Sequence, residues 1–208
     1  MMISPETFYE MKLKGKNAEQ IMTVIRGLKR EIGRLKKIVE NPDYVPDVHP
    51  TESVRISCSR DYLERAKQAL EEAGGTYTPS IAEQKSMEFD ANIPYINKVV
   101  FCIGGYFNGY ETKTYTVDGN KIHINVEHSL SFDMVDREIE DIDKEDFFEE
   151  MKGLHIGEWR RSYYDSDVCD GTQWKLEIYF SNNHKLVKFY GSNAYPYNFD
   201  RVLELFGN

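Results

Sequence analysis

Residues 98–128, KVVFCIGGYFNGYETKTYTVDGNKIHINVEH, decide how the larger part of the chain folds. Three runs alternate apolar with polar side chains, and Asn108-Gly109 and Asp118-Gly119 separate them. Asn-Gly and Asp-Gly accept the positive φ angles of tight hairpin turns, so three antiparallel strands are expected. An acidic segment follows, and Asp143 then caps a short helix, KEDFFEEMK, that Gly153 ends. The same order recurs downstream. GEWRRSYYD (157–165) has the pattern of a strand, with a turn at Asp170-Gly171. QWKLEIYF (173–180) pairs with HKLVKFYG (184–191) through Asn182-Asn183, and a last helix, FDRVLELFG, follows Pro196. The expectation is a hairpin-rich module of two βββα units, a duplication that rests on the order of elements.

On the N-terminal side, FYEMKLK (8–14) alternates as a half-buried strand would. Asn17 with Gln20 has the spacing of a capping box. Ile21, Ile25, Leu28, Ile32, Leu35 and Val39 then form one seam of a long amphipathic helix. The proline-containing NPDYVPDVHP (41–50) is a linker, and SVRISCS (53–59) is expected as a second short strand. Asp61 with Glu64 starts a helix with Leu63, Ala66, Ala69, Leu70 and Ala73 inside, stopped by Gly74-Gly75. GTYTP (75–79) is a third short strand, and Ser80 with Glu83 opens a helix running through Glu88. The fold class is therefore α+β. A small β-α-β-α-β N-terminal domain (1–90) with a long amphipathic helix precedes the C-terminal domain (91–208).

Composition limits the function classes. The chain has 208 residues, 40% of them hydrophobic and 13% aromatic, enough to bury a core. No apolar run reaches the ~20 residues that span a bilayer, and MMISPETFYEMKLKGK lacks the apolar stretch of a signal peptide. Cys58, Cys102 and Cys169 are odd in number and scattered, which fits a cytoplasmic protein without a disulfide framework. A formal charge of −9 makes nucleic acid an unlikely partner, since tracking phosphates needs a basic face. Charge is also unevenly spread: residues 1–40 hold nine Lys/Arg against five Asp/Glu, whereas residues 133–150 hold ten acids and two bases.

The strings IGGYFNGYET (103–112), DGTQWKLEI (170–178) and GSNAYPYNF (191–199), with Trp159 between them, resemble a pattern in small bacterial proteins of uncharacterised function. The resemblance covers roughly residues 97–207. It implies a recurring domain and brings no activity, cofactor or catalytic residue with it.

Each chemistry-bearing pattern has a structural counterpart. Gly104-Gly105-Tyr106-Phe107-Asn108-Gly109 leads into a strand, whereas a phosphate cradle leads into a helix N-terminus. DSDVCDG (165–171) fails calcium-loop spacing, with Cys169 at position 5 and Leu176 at position 12. His123 and His128 fall on opposite faces of one strand and cannot chelate together. A Cys169–His184 pair rests on residue type alone. No catalytic, cofactor or metal residue is therefore assigned. What remains is recognition chemistry. Fourteen tyrosines, several in Gly/Asn-rich turns, suggest a rim of Tyr106, Tyr110, Tyr163, Tyr164, Asn193, Tyr195 and Tyr197, with Asp141, Asp143 and Glu145 in the acidic segment. The expected function is non-catalytic binding of another protein, of an inhibitor or immunity type. The alternatives are a hydrolase-like enzyme with a cleft between the halves, and nucleic-acid binding through Arg26, Lys29, Arg30, Arg34 and Lys37 on the first long helix.

Overall fold

A computed structural model describes residues 2–46, 49–130, 141–168 and 170–206. Among them are six α-helices and a seven-stranded mixed sheet, so the class is α+β. No helix is long and apolar enough to cross a membrane. Contacts divide the chain into two compact units, Met1–Pro79 and Ser80–Asn208.

The first unit is helical: α1 (Pro5–Lys12), α2 (Ala18–Val39) and α3 (Glu52–Glu72). The expected N-terminal β-α-β-α-β sheet is not formed. Residues 8–12 of the expected first strand are helical, because Ser4 caps Thr7 N–H and Pro5 opens the first turn. Phe8 and Leu13 are buried, whereas Met11 is 65% exposed. SVRISCS lies inside α3, where Ile56, Ser59, Leu63, Ala66 and Leu70 are buried at steps of three and four. The alternation of Val54, Ile56 and Cys58 is too short to distinguish that seam from a strand. GTYTP forms no strand either. Helix α2 starts on the Asn17–Gln20 capping box and buries Ile21, Ile25, Ile32 and Leu35. Its late residue Glu31 bonds Arg55 early in α3 at 2.9 Å, and Ala18 lies against Gly75, so the two helices run antiparallel.

The second unit begins with α4 (Ile81–Asn92), set on a capping box between Ser80 and Glu83. Strands β1 (Ile96–Gly105), β2 (Gly109–Asp118) and β3 (Lys121–His128) form the expected meander. The two-residue β4 (Ile142–Asp143) leads into α5 (Lys144–Gly153), where Asp143 accepts from the N–H groups of Glu145 and Asp146. Then come β5 (Ser162–Tyr164), β6 (Gln173–Phe180), β7 (Val187–Ser192) and α6 (Phe199–Leu205). The expected strand at 157–165 shrinks to β5, with a 3₁₀ turn at Ile156–Glu158 ahead of it.

Strand order across the sheet is β4-β3-β2-β1-β6-β7-β5. Three strands and a helix do occur twice in sequence, but the pairings are not repeated. β1, β2 and β3 pair consecutively, whereas β5 skips β6 and lies parallel to β7 at the edge. The module is one sheet joined by the antiparallel β1–β6 ladder. Alternation along these strands sends Val99, Phe101, Tyr115, Trp174, Leu176, Ile178, Val187 and Phe189 to a single face.

The helices close that face with aromatic contacts. Phe206 stacks on Phe101 (5.0 Å) and meets Tyr115 edge-on (5.1 Å), Phe147 of α5 stacks on Tyr115, and Phe89 of α4 meets Phe180 edge-on. The Phe206 carbonyl, at the end of α6, accepts from Lys113 Nζ (3.0 Å) and the Tyr115 hydroxyl (2.9 Å). A helix C-terminus is left with unpaired carbonyls and favours a cation, and Lys113, though buried, answers both needs. Burial pushes the Tyr115 phenol well above its ordinary value, so it stays a donor.

Candidate functional site

The recognisable strings at 170–178 and 191–199 meet in space as packing. Trp174 Nε1–H donates to the Ala194 carbonyl at 3.0 Å, and Gly191 has no room for a side chain because the indole occupies it. Gly171 lies equally close to the Asn193 amide, whose own backbone takes φ +53° in the turn. Trp159 Nε1–H donates to Asn198 Oδ1, and Asn198 Nδ2 donates to the Leu154 carbonyl, tying the start of α6 to the end of α5. Asp-Gly, Trp, Gly, Asn-Ala and Asn are therefore the parts of one interlocked corner.

The candidate site lies on the other face of the sheet. None of α4, α5 and α6 packs there, because all three are engaged on the aromatic face. Register sets its rows. Tyr110, Gly104, Gln173, Ser192 and Tyr164 stand abreast on β2, β1, β6, β7 and β5, and Thr112, Cys102, Lys175, Tyr190 and Ser162 form the next row. Gly104 has no space for a Cβ against the backbone of Gly109 and Tyr110. The Tyr110 hydroxyl instead reaches over the glycine to Gln173 Oε1 at 3.2 Å. Small floor residues between taller tyrosines leave a shallow cleft of about 410 Å³, lined by Cys102, Tyr110, Tyr164, Gln173, Lys175, Tyr190 and Ser192. Tyr164 and Tyr190 meet edge-on at 6.0 Å and are 64% and 45% exposed.

Comparison with protein-family models, with curated proteins and with solved structures finds no match for this chain.

The expected rim residues divide sharply. Tyr110 and Tyr164 line the cleft, and Tyr106 projects from the β1–β2 turn at 83% exposure. Tyr163 and Tyr197 belong to the core and cannot form a rim: Tyr163 is 1% exposed, and its hydroxyl accepts from Arg160 N–H. Alternation explains the first case, since Tyr163 and Tyr164 are neighbours on a strand and point to opposite faces. Tyr195 packs on Phe199 at 4.8 Å, and Asn193 is held against Gly171.

In the acidic segment, residues 131–140 lie outside the described residues. Asp141 pairs with His123 Nδ1 at 2.6 Å, and Asp143 serves as the helix cap and accepts from Asn120 Nδ2. Glu145 is an exposed first-turn residue of α5. Sequence reasoning missed Cys102, Gln173, Lys175, Tyr190 and Ser192. Their common signal is that they are the polar phase of strands whose other phase is core.

No group of three His, Cys, Asp or Glu among the described residues could hold a metal. His123 and His128 sit on opposite faces, and Cys169 lies outside the described residues. On the open face, the Lys188 ammonium at 2.8 Å holds the Glu177 carboxyl below its ordinary value, with the Tyr179 hydroxyl at 3.1 Å assisting. In the first unit, Glu31 is held low by a two-pronged bond from Arg34 and by Arg55. Glu52 is held low chiefly by the Tyr44 hydroxyl at 2.6 Å. Each of these carboxylates is satisfied by a structural partner.

Proposed function

We propose that this chain is a non-catalytic binding protein that holds a macromolecular partner on the tyrosine-lined end of its open sheet face. One observation carries the reading: Tyr110, Tyr164 and Tyr190, from three different strands, converge on a shallow cleft that also takes in Cys102, Gln173, Lys175 and Ser192. Tyrosine offers large, rigid, amphipathic contact area at low entropic cost, and exposed clusters of it are typical of recognition surfaces. Between the hairpin turns and the acidic segment, the weight moves to the former, since Asp141 and Asp143 already have partners.

Binding of nucleic acid through α2 finds less support. Arg34 is neutralised by Glu31, and Lys29 donates to the Tyr77 hydroxyl. The test is a comparison of the tagged chain with its Tyr164→Ser/Tyr190→Ser variant as bait in the native cell extract. Both side chains are exposed, so the fold is retained, and a specific co-purifying macromolecule should be lost with the variant. Identical co-purifying material from both baits would refute the reading.

A further inference from the structure

The cleft is one part of a longer exposed surface at the same end of the sheet. The β1–β2 turn presents Tyr106 and Phe107 at 83% and 75% exposure, their rings edge-on at 5.3 Å. Leu130 flanks this turn, close to Gly109. On the other side are residues 165–168 and 170–171. Gly105 abuts the Gly171 carbonyl, Asp165 N–H donates to the Ser192 carbonyl at 3.0 Å, and Asn193 Nδ2 donates to the Val168 carbonyl. Asp165, Val168 and Gly171 are thereby held beside the aromatic turn, just after Tyr164 in the chain.

Two exposed aromatics in contact at a turn tip offer apolar anchoring area to a partner. The charge around it selects the partner. Asp165, Asp167 and Asp170 stand in the loop, and none of them meets a cation among the described residues. Lys175, which lines the cleft, is drawn toward Glu177 at 3.7 Å. Asp165 Oδ1 accepts the Asp167 N–H and Asp167 Oδ1 accepts from the Ser166 hydroxyl, which leaves the negative charge of the loop uncompensated. An apolar tip beside carboxylates that no cation neutralises repels phosphate backbones and anionic lipid surfaces alike, and it complements a cationic protein segment with apolar anchors.

We infer that Tyr106, Phe107, Val168 and the carboxylates of Asp165, Asp167 and Asp170 form the docking surface for a basic segment of a partner protein. This rests on the binding reading above and names the partner class for it. Aromatics at the centre supply most of the affinity, and the carboxylates supply orientation, association rate and salt dependence.

The test uses the full chain, labelled with ¹⁵N, and two synthetic peptides, one alternating Leu with Lys and the other Leu with Glu. The Leu-Lys peptide should move amide resonances of residues 105–109 and 164–171, with affinity falling about tenfold when salt is raised from roughly 0.05 to 0.5 M. Tyr106→Ser/Phe107→Ser, and separately Asp165→Asn/Asp167→Asn/Asp170→Asn, should each weaken it about tenfold at unchanged far-ultraviolet dichroism. The Leu-Glu peptide should leave the spectrum unmoved.

Binding that maps elsewhere, or that ignores both variants, overturns the inference. So does a silent Leu-Lys peptide, whether or not phosphatidylserine vesicles or a single-stranded oligonucleotide bind in its place. If the peptide result is negative while the Tyr164→Ser/Tyr190→Ser bait still loses its partner, the basic-segment inference falls and the binding reading stands. If both are negative, both fall.

Discussion

Replacing Gly191 with alanine should destabilise the second unit by about 2–5 kcal/mol. A methyl at that position would stand on the Trp174 indole, 2.5 Å from Cε2, and 2.6 Å from the Ala194 carbonyl oxygen. The backbone cannot yield, because β7 is laddered to both β6 and β5. The indole must therefore retreat by about 1 Å to regain van der Waals distance. That movement breaks the 3.0 Å bond from Nε1–H to Ala194, between groups shielded from water. Losing a buried hydrogen bond costs about 1–3 kcal/mol, and overpacking a filled core costs a similar amount. Against the roughly 5–15 kcal/mol that holds a typical domain folded, this is a large fraction.

Urea unfolding followed by tryptophan fluorescence measures the loss. The companion variant Trp174→Phe removes the ring edge that the methyl would strike. Gly191→Ala should therefore cost markedly less in that background, giving a coupling energy of about 1 kcal/mol or more. A Gly191→Ala protein within about 0.5 kcal/mol of the parent, or a double variant that is strictly additive, would refute the proposed interlock.

Two further outcomes test other parts of the molecule. Gly27 and Gly33 lie inside α2 with nothing within 4 Å of a prospective Cβ. Gly27→Ala and Gly33→Ala should each stabilise the first unit by about 0.5–1 kcal/mol in urea titrations monitored by helical dichroism. The Glu177 carboxyl is held below its ordinary value, so its stabilising contribution is present above the unfolded value of about 4.3 and is lost as pH falls through the lower folded value. Glu177→Gln should lower the urea midpoint at pH 7 and flatten its decline between about pH 5 and pH 2. An unchanged acid limb would show that Lys188 does not stabilise this carboxylate.

Local signals in the sequence were the legible ones. Asn17 with Gln20, Ser80 with Glu83, and Asp143 ahead of its helix each satisfy backbone donors within three residues, so the short segment is self-sufficient. Asn-Gly and Asp-Gly placed the meander for the same reason. Alternation over five to seven residues was not enough in the first unit, because Ile56 and its neighbours are spaced for a seam between helices that only the partner α2 defines. The order of strands depends on β1 meeting β6, which no local residue announces. The candidate site inherits that difficulty: Tyr110 and Tyr190 are each on the polar phase of their strands, but only the β1–β6 ladder brings them to one cleft.

The same ladder governs how the second unit can assemble. β1 reaches β2 across residues 106–108, whereas it reaches β6 by pairing Val99 with Ile178, 79 positions on. Closing the longer loop costs about 3 kcal/mol more in chain entropy, so the meander has to wait for its neighbour. During that interval β1 is an open edge carrying Val99, Phe101 and Ile103, with Lys98 near its start as its single charge. Newly made or refolding chains would find each other through it, and a dilute solution or a chaperone would recover folded protein that a concentrated one precipitates.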